Sequence, residues 1–464
     1  MIWYYSKQIN KKRDIFMKKL GLGFIAVLAV GAIYYLTLGS TQITEQIKTE
    51  VNSEIKQLQS SGFKIEKQDH SETKETLMIT VDEPQKVQQY LLAKGEQVSL
   101  ADVKQLQGVR LKMELSYLPT LKDALAMDIY LDTLPTNFRK DLGIDQNNST
   151  FQSINKMLKE GKIMVHINVN KLRSGFDGYL KDIDQTFKEE QETHFLLKGL
   201  TFHGKMDEKK ITDFSQKLET LVLEVGHELK MTFSHLTTEV KKNQKERDIA
   251  YKIKTIDLNI NTDKKLDLQF KELVGESTDI QRGELLDNQS HFKIASVVLN
   301  EAGKESQLQQ IQIDSDTKNV DIKALEALQA YSEEKASNPE PFKAFVPILK
   351  AFTLSGLSMD ISKLSIGSIT TEGKTFDGIH LSSQLQLNKD FKWKGVEANP
   401  MLLMKLPQVK ANIALSNEVF NLMAQTPQAM MIMLMAHPVD KNGTKVYDIE
   451  FNQGSLTLNG KPFM

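Results

Sequence analysis

Nine histidines, no cysteine and a few adjacent acids are the groups in this 464-residue chain from which chemistry would have to be built. The missing thiol removes nucleophilic cysteine, zinc ribbons, iron–sulfur ligation, disulfides and an acylated lipoprotein cysteine together. It also suits an oxidising compartment, where stray thiols are a hazard. His227-Glu228 lacks a second histidine four residues on, so it is not the zinc-binding helix motif of metalloproteases. His227 and His235 stand eight apart, and His166 falls on the polar side of an alternating segment, where a solvated or hydrogen-bonded imidazole is expected. Glu189-Glu190 would diverge on a helix and reads as surface. Gly21 and Gly23 are closely spaced but lie in an apolar run, and no phosphate loop, dinucleotide fingerprint or nucleophile elbow occurs in the sequence. A carboxylate pair of the glycosidase kind would have to be assembled in space, and nothing in the spacing asks for one. No catalytic residue, metal ligand or cofactor site is therefore assigned.

Two other features carry more information. Between Val419 and Ala436 lie Met423, Met430, Met431, Met433 and Met435, with Pro427 kinking or starting a helix. Residues 429–436 are apolar all round, so this turn is buried or touches something apolar. Methionine is unbranched and recurs on surfaces that take varied hydrophobic partners. Core packing is the plainer reading; the sharper one is a lid over a hydrophobic ligand, formed by Met430, Ile432, Met433, Leu434 and Met435. Asn147 in DQNNS and Asn442 in DKNGT are Asn-x-Ser/Thr acceptors with an acid two residues earlier, the extended pattern of bacterial N-glycosylation.

These groups must be positioned by something, and the N-terminus says where. Leu20 to Leu38, LGLGFIAVLAVGAIYYLTL, is free of charge. As a helix it spans roughly 28 Å, close to the hydrocarbon thickness of a bilayer. Leu20, Phe24, Ile25, Val27, Leu28, Val30, Ile33 and Leu36 supply its apolar surface, and Tyr34 and Tyr35 sit near its outer end, where amphipathic rings prefer the interface. Residues 1–19 hold six basic side chains against Asp14 alone, a balance of +5, and the total of −1 leaves −6 for the rest. The positive-inside rule then makes residues 1–16 a cytoplasmic tail, 17–40 a transmembrane anchor and 41–464 a translocated body. A cleaved signal would also begin this way, but no A-x-A-like site follows; a buried core helix fits an extreme N-terminus poorly. Met17 in MKKLGLGF looks like a natural start, which would make residues 1–16 an extension. The acidic-leaning body is a poor partner for nucleic acid.

Beyond the anchor, Ile43, Ile47, Val51, Ile55 and Leu58 form one stripe of an amphipathic helix that Gly62 ends; it packs on its own domain or pairs with a second copy. The dominant signal after that has period two. GVRLKMELSYL, KIMVHINVN, YKIKTIDLNIN, KLDLQF, HFKIASVV, QLQQIQID, GIHLSSQLQLN and VKANIAL all alternate apolar with polar residues, the mark of antiparallel strands with one wet face. Helices are expected over 137–160, 172–191, 207–225, 321–335, 340–352 and 417–436, and VYDIEFNQGSLTLNGKPF reads as a closing hairpin with turns at Asn452–Gly454 and Asn459-Gly460. The class is α+β: one transmembrane helix, then a large body of curved antiparallel sheet with helices packed on it. The charged run KKNQKERD, 241–248, offers a soft boundary that is equally a hairpin.

The lysine-led anchor Met17–Leu38, the strand-rich body, the late helix 417–436 and the closing Gly454–Pro462, GSLTLNGKP, together resemble the YdgA-like family of bacterial envelope proteins. The resemblance implies an inner-membrane anchor with a periplasmic body and supplies no catalytic residues. The expected function is a non-catalytic envelope protein that binds a lipid or other hydrophobic ligand, or an envelope protein. A self-associating scaffold is the alternative, and an envelope-polymer hydrolase the remotest.

Overall fold

The computed structural model describes residues 43–463, apart from 94–97, 99, 136–148, 173, 189–191, 208–209, 244, 262–264, 335–340 and 425–436. The chain divides into two compact units, the first ending at His227 and the second beginning at Glu228. Both are dominated by antiparallel strands with a minority of helices, the expected α+β composition.

In the first unit, helix α1 (Ile43–Ser60) precedes strands β1 (Phe63–His70) and β2 (Lys74–Val81). Helices α2 (Pro84–Ala93) and α3 (Leu100–Gln105) follow, then β3 (Arg110–Tyr117) and β4 (Asp123–Thr133), helix α4 (Ser149–Lys159) and β5 (Met164–Asn170). Each strand pairs antiparallel with its neighbour in sequence. Strict alternation then stacks apolar residues in rows across the sheet, such as Leu77, Met113, Ile129 and Val165. Helices cover this face: Val51, Ile55 and Leu58 of α1, Val87 and Leu91 of α2, and Met157 and Leu158 of α4 are all buried. The result is a dry core in which Leu77, Met113 and Met127 are 0 % exposed.

Two expected helices are strands. Residues 172–191 hold β6 (Gly175–Leu180) and β7 (Ile183–Phe187), and 207–225 is almost wholly β10 (Lys210–Val225). Ile211, Phe214, Leu218, Leu221 and Val225 mimic helical spacing, but a register shift between Ile211 and Asp213 and burial of both Val222 and Leu223 produce that spacing in an extended chain. β10 pairs with β9 (Thr201–Asp207) and, further along, with β8 (Thr193–Lys198); β6 and β7 pair with β9 and β8 in the same order.

The second unit is a longer meander: β11 (Leu229–Lys242), β12 (Glu246–Asn261), β13 (Lys265–Arg282), β14 (Leu285–Glu301) and β15 (Lys304–Asp321), then β16 (Ser358–Thr371), β17 (Lys374–Leu387) and β18 (Pro407–Ser416). β20 (Thr444–Asn452) pairs with β18, with the short β19 (Val439–Lys441) and with β21 (Ser455–Leu458), and β22 (Lys461–Pro462) finishes the edge. The run 241–248 is the turn region of the β11–β12 hairpin. Ala302-Gly303, Glu372-Gly373, Asn442-Gly443 and Gln453-Gly454 each place both residues at positive φ, the two-residue turn that matches strand twist. The C-terminal hairpin has the expected turns, with Ile449 opposite Leu458 and Phe451 opposite Leu456.

Three expected helices are present in whole or part: α5 (Ile322–Glu334), α6 (Pro341–Ser355) and α7 (Asn417–Met423). Asp321 caps α5 through a bond from the Ala324 amide (2.8 Å), and Ser416 caps α7 by accepting from the Val419 amide (3.2 Å). The described part of the 137–160 helix is α4.

Candidate apolar ligand face

Strands β11–β17 share a feature that fixes the character of the second unit. Between Ser234 and Leu236 the pairing skips His235 and, opposite it, Lys254. The skip continues through Glu272, Ala295 and Gln310 to Gly367 and Gly378, a line crossing seven strands. His235, Glu272 and Gln310, on alternate strands, have φ of 52°, 51° and 55°. Register is kept on either side of it across β11–β14, so this is a crease of aligned unpaired residues, one on each strand, and no slip in pairing.

At the crease the apolar step changes from two residues to three, which keeps the apolar side chains on one face. One row runs Leu236, Ile253, Leu273, Ile294, Ile311; the next runs Phe233, Ile256, Phe270, Val297, Leu308, Ile369, Phe376. Tyr251 lies over Gly275, where an added Cβ would meet its ring at 2.2 Å, and its ring is 6.4 Å from that of Phe292. Seven strands at about 4.8 Å spacing make a band roughly 29 Å long, running across the strands.

This band is only half-buried. Leu273 (7 %) and Ile294 (8 %) are its most enclosed members, and Ile253, Ile256, Phe270, Val297 and Leu308 are intermediate. The helices of this unit lie over other parts of the sheet, with α7 reaching only the β16–β17 end of the band, where Ile369 and Phe376 join its cluster. α5 and α6 close a cluster around Ala324, Ile348, Phe352, Leu387 and Leu406, and α7 closes another around Leu415, Val419 and Tyr447. Neither cluster draws a residue from β11–β14.

The opposite face is polar and cross-linked. Burial works against ionisation of Asp314, but hydrogen bonds from Gln312 (2.7 Å) and His291 (3.1 Å) outweigh it and hold its pKa below the ordinary range. Asp287 is held low in the same way: burial opposes, and the Asn319 amide (2.8 Å) and Arg282 (2.5 Å) prevail. Such a face is built for water.

Groups suited to catalysis do not assemble among the described residues. His166 is hydrogen-bonded to Asp128 (2.7 Å) and Asn168 (3.0 Å) and stacks on Tyr179. Asp177, His203 and Ser215 stand in register on three adjacent strands, but Ser215 Oγ is 3.1 Å from Nδ1 and 3.0 Å from Nε2 of the same ring. A hydroxyl equidistant from both nitrogens lies on the in-plane axis of neither, so this is not the single directed hydrogen bond through which a base takes a nucleophile's proton. Asp316 and Asp360 oppose each other across β15 and β16, with Lys318 on the first (3.0 Å) and Gln384 on the second (3.3 Å). No three His, Asp or Glu side chains among the described residues could hold a metal. A cavity of about 540 Å³ on α4 is lined by polar side chains such as Gln152, Asn155 and Lys156.

Of the positions singled out in the sequence, Asn442 is exposed at the β19–β20 turn. Asn147, the lid residues Met430, Ile432, Met433, Leu434 and Met435, and the anchor residues Leu20 to Leu36 lie outside the described residues. Among the described residues no helix is long and apolar enough to cross a membrane. The band was legible as alternation, but not as a site; its signal was the recurring three-residue step in Ile253–Ile256, Phe270–Leu273, Ile294–Val297 and Leu308–Ile311. Comparison with protein families, curated proteins and solved structures finds no match for this chain.

Proposed function

We propose that this chain is a single-pass protein of the bacterial inner membrane, anchored by residues 20–38 with its N-terminus cytoplasmic, whose periplasmic body holds a hydrophobic ligand without transforming it. The reading rests on one observation: a half-buried apolar band crosses β11–β17, while the helix-covered face of β1–β5 in the first unit buries the same residue types, with Leu77, Met113 and Met127 at 0 % exposure. A folded chain rarely leaves a contiguous apolar face of this size without an occupant. The band is roughly as long as a bilayer's hydrocarbon is thick, about 30 Å or two acyl chains end to end, so it has room for an extended lipid acyl chain. The methionine-rich segment 430–435 is its proposed lid, and the YdgA-like resemblance agrees with the location.

Self-association through the α1 stripe is the weaker alternative, because Val51, Ile55 and Leu58 are spent on the first unit's own core. The test is native mass spectrometry and lipid extraction on residues 41–464, exported and purified without detergent. An apolar molecule at fixed stoichiometry, lost in Phe270→Asp while the strand content is kept, supports the reading. A ligand-free mass with the band intact overturns it.

A further inference from the structure

The first unit presents the β1–β2, β3–β4 and β5–β6 turns at one end of its sheet, and the last two carry leucines into water. Leu121, between β3 and β4, is 93 % exposed; Leu172, between β5 and β6, is 88 % exposed. Single exposed leucines are ordinary, but these two are neighbours, because the Lys171 amide donates to the Lys122 carbonyl at 2.9 Å. Both turns are braced. Thr120 Oγ1 accepts from the amides of Lys122 (3.1 Å) and Asp123 (3.0 Å), and Asn170 Oδ1 accepts from the Ser174 amide (3.0 Å). The leucines are thus held outward instead of folding back onto the sheet. Each is flanked by an exposed lysine, Lys122 and Lys171.

The described chain begins at this same end. α1 runs antiparallel to β1: Lys67 Nζ donates to Asn52 Oδ1 (2.7 Å), and Gln59 reaches the Ile65 carbonyl further back. From Asn52 the helix continues about 13 Å toward Ile43, past the level where β1 ends. Its start therefore stands beside the β1–β2 turn, which is bonded to the β3–β4 side by Tyr117 amide to Thr73 carbonyl (2.9 Å). The apolar run 20–38 ends five residues before that start. By strand spacing, the two leucine turns lie roughly 12 and 22 Å from β1 along the same end.

We propose that this end of the first unit rests on the membrane surface, with Leu121 and Leu172 inserted among lipid chains and Lys122 and Lys171 against anionic headgroups. The inference rests on residues 20–38 being a membrane anchor. Apolar tips beside cations are the composition that interfacial binding uses, and a tethered body would be oriented by them.

A chain without native cysteine allows a clean test. Full-length protein carrying Leu121→Cys, Leu172→Cys, Lys159→Cys or Ile33→Cys is labelled with a polarity-sensitive fluorophore and reconstituted in phosphatidylcholine–phosphatidylglycerol vesicles. Nitroxide-bearing lipid should quench the labels at 121, 172 and 33 and leave the one at 159, the exposed last residue of α4 in the β4–β5 connection at the other end of the strands, in water. Combining Lys122→Glu with Lys171→Glu should weaken lipid contact of the labelled tips by about fivefold per lysine at low salt. Quenching at 33 with none at 121 and 172 overturns the inference and leaves the anchor standing. No quenching at 33 removes the anchor and the inference with it.

Discussion

At the scale of single residues, close backbone approach and conformational strain separate cleanly. Gly378 lies on the crease, where an added Cβ would sit 1.8 Å from the Ile366 carbonyl oxygen, a backbone atom with nowhere to go. Gly283, in the β13–β14 turn, has open space around it and only its φ of 67° to object. Gly378→Ala should therefore cost about 3 kcal/mol by overpacking, and Gly283→Ala about 1–2 kcal/mol by backbone strain; denaturant unfolding of both variants checks the order. The depressed carboxyls of Asp287 and Asp314 make a second expectation. Their folded pKa lies below the unfolded value near 3.9, so the stability they contribute is complete above about pH 4 and is lost as pH falls through the folded pKa. Asp314→Asn should flatten the acid limb of the stability–pH curve and leave the neutral plateau's slope unchanged; an unaltered acid limb would count against the pairing described for Asp314.

At the scale of elements, α1 is the piece whose role has changed most between pattern and packing. Its stripe was open to two uses, and burial of Val51, Ile55 and Leu58 assigns it to its own core. Val51→Ala should then destabilise by about 2 kcal/mol with no change in oligomeric state by light scattering, whereas a dissociating oligomer would restore the pairing role. Strands with regular alternation, such as β3 with Leu111, Met113, Leu115 and Tyr117, were readable because one face is dry and the other wet. β10 was not, since a bulge and two-sided burial gave an extended segment helical spacing. α2 was overlooked: PQKVQQYLLA buries Val87, Tyr90 and Leu91 at helical spacing, but a segment of ten residues gave little pattern to read. The candidate face was half legible. Each strand showed its apolar side, while the crease that joins those sides into a band depends on alignment between strands, which no single segment displays.

At the scale of the whole molecule, the two units differ in kind. The first closes its apolar face with α1, α2 and α4, and the second leaves a band of its sheet half-covered. Calorimetry should therefore resolve two transitions, the lower belonging to residues 228–464. A bound apolar ligand should raise only the lower one, by about 2.7 kcal/mol at a hundredfold excess over its dissociation constant. A single transition that moves as one with ligand would mean that the units do not unfold separately.

The meander itself has a consequence for how such a chain comes into being. From β1 to β5 and from β11 to β18, each strand's partner is the one just before it. A polypeptide that emerges end-first, from a ribosome or through a narrow pore, need never wait for a distant segment. Each new hairpin finds its template already in place and leaves one fresh edge for the next. Loop-closure entropy stays small at every step, so a protein of this length can be knitted row by row at the pace of its delivery.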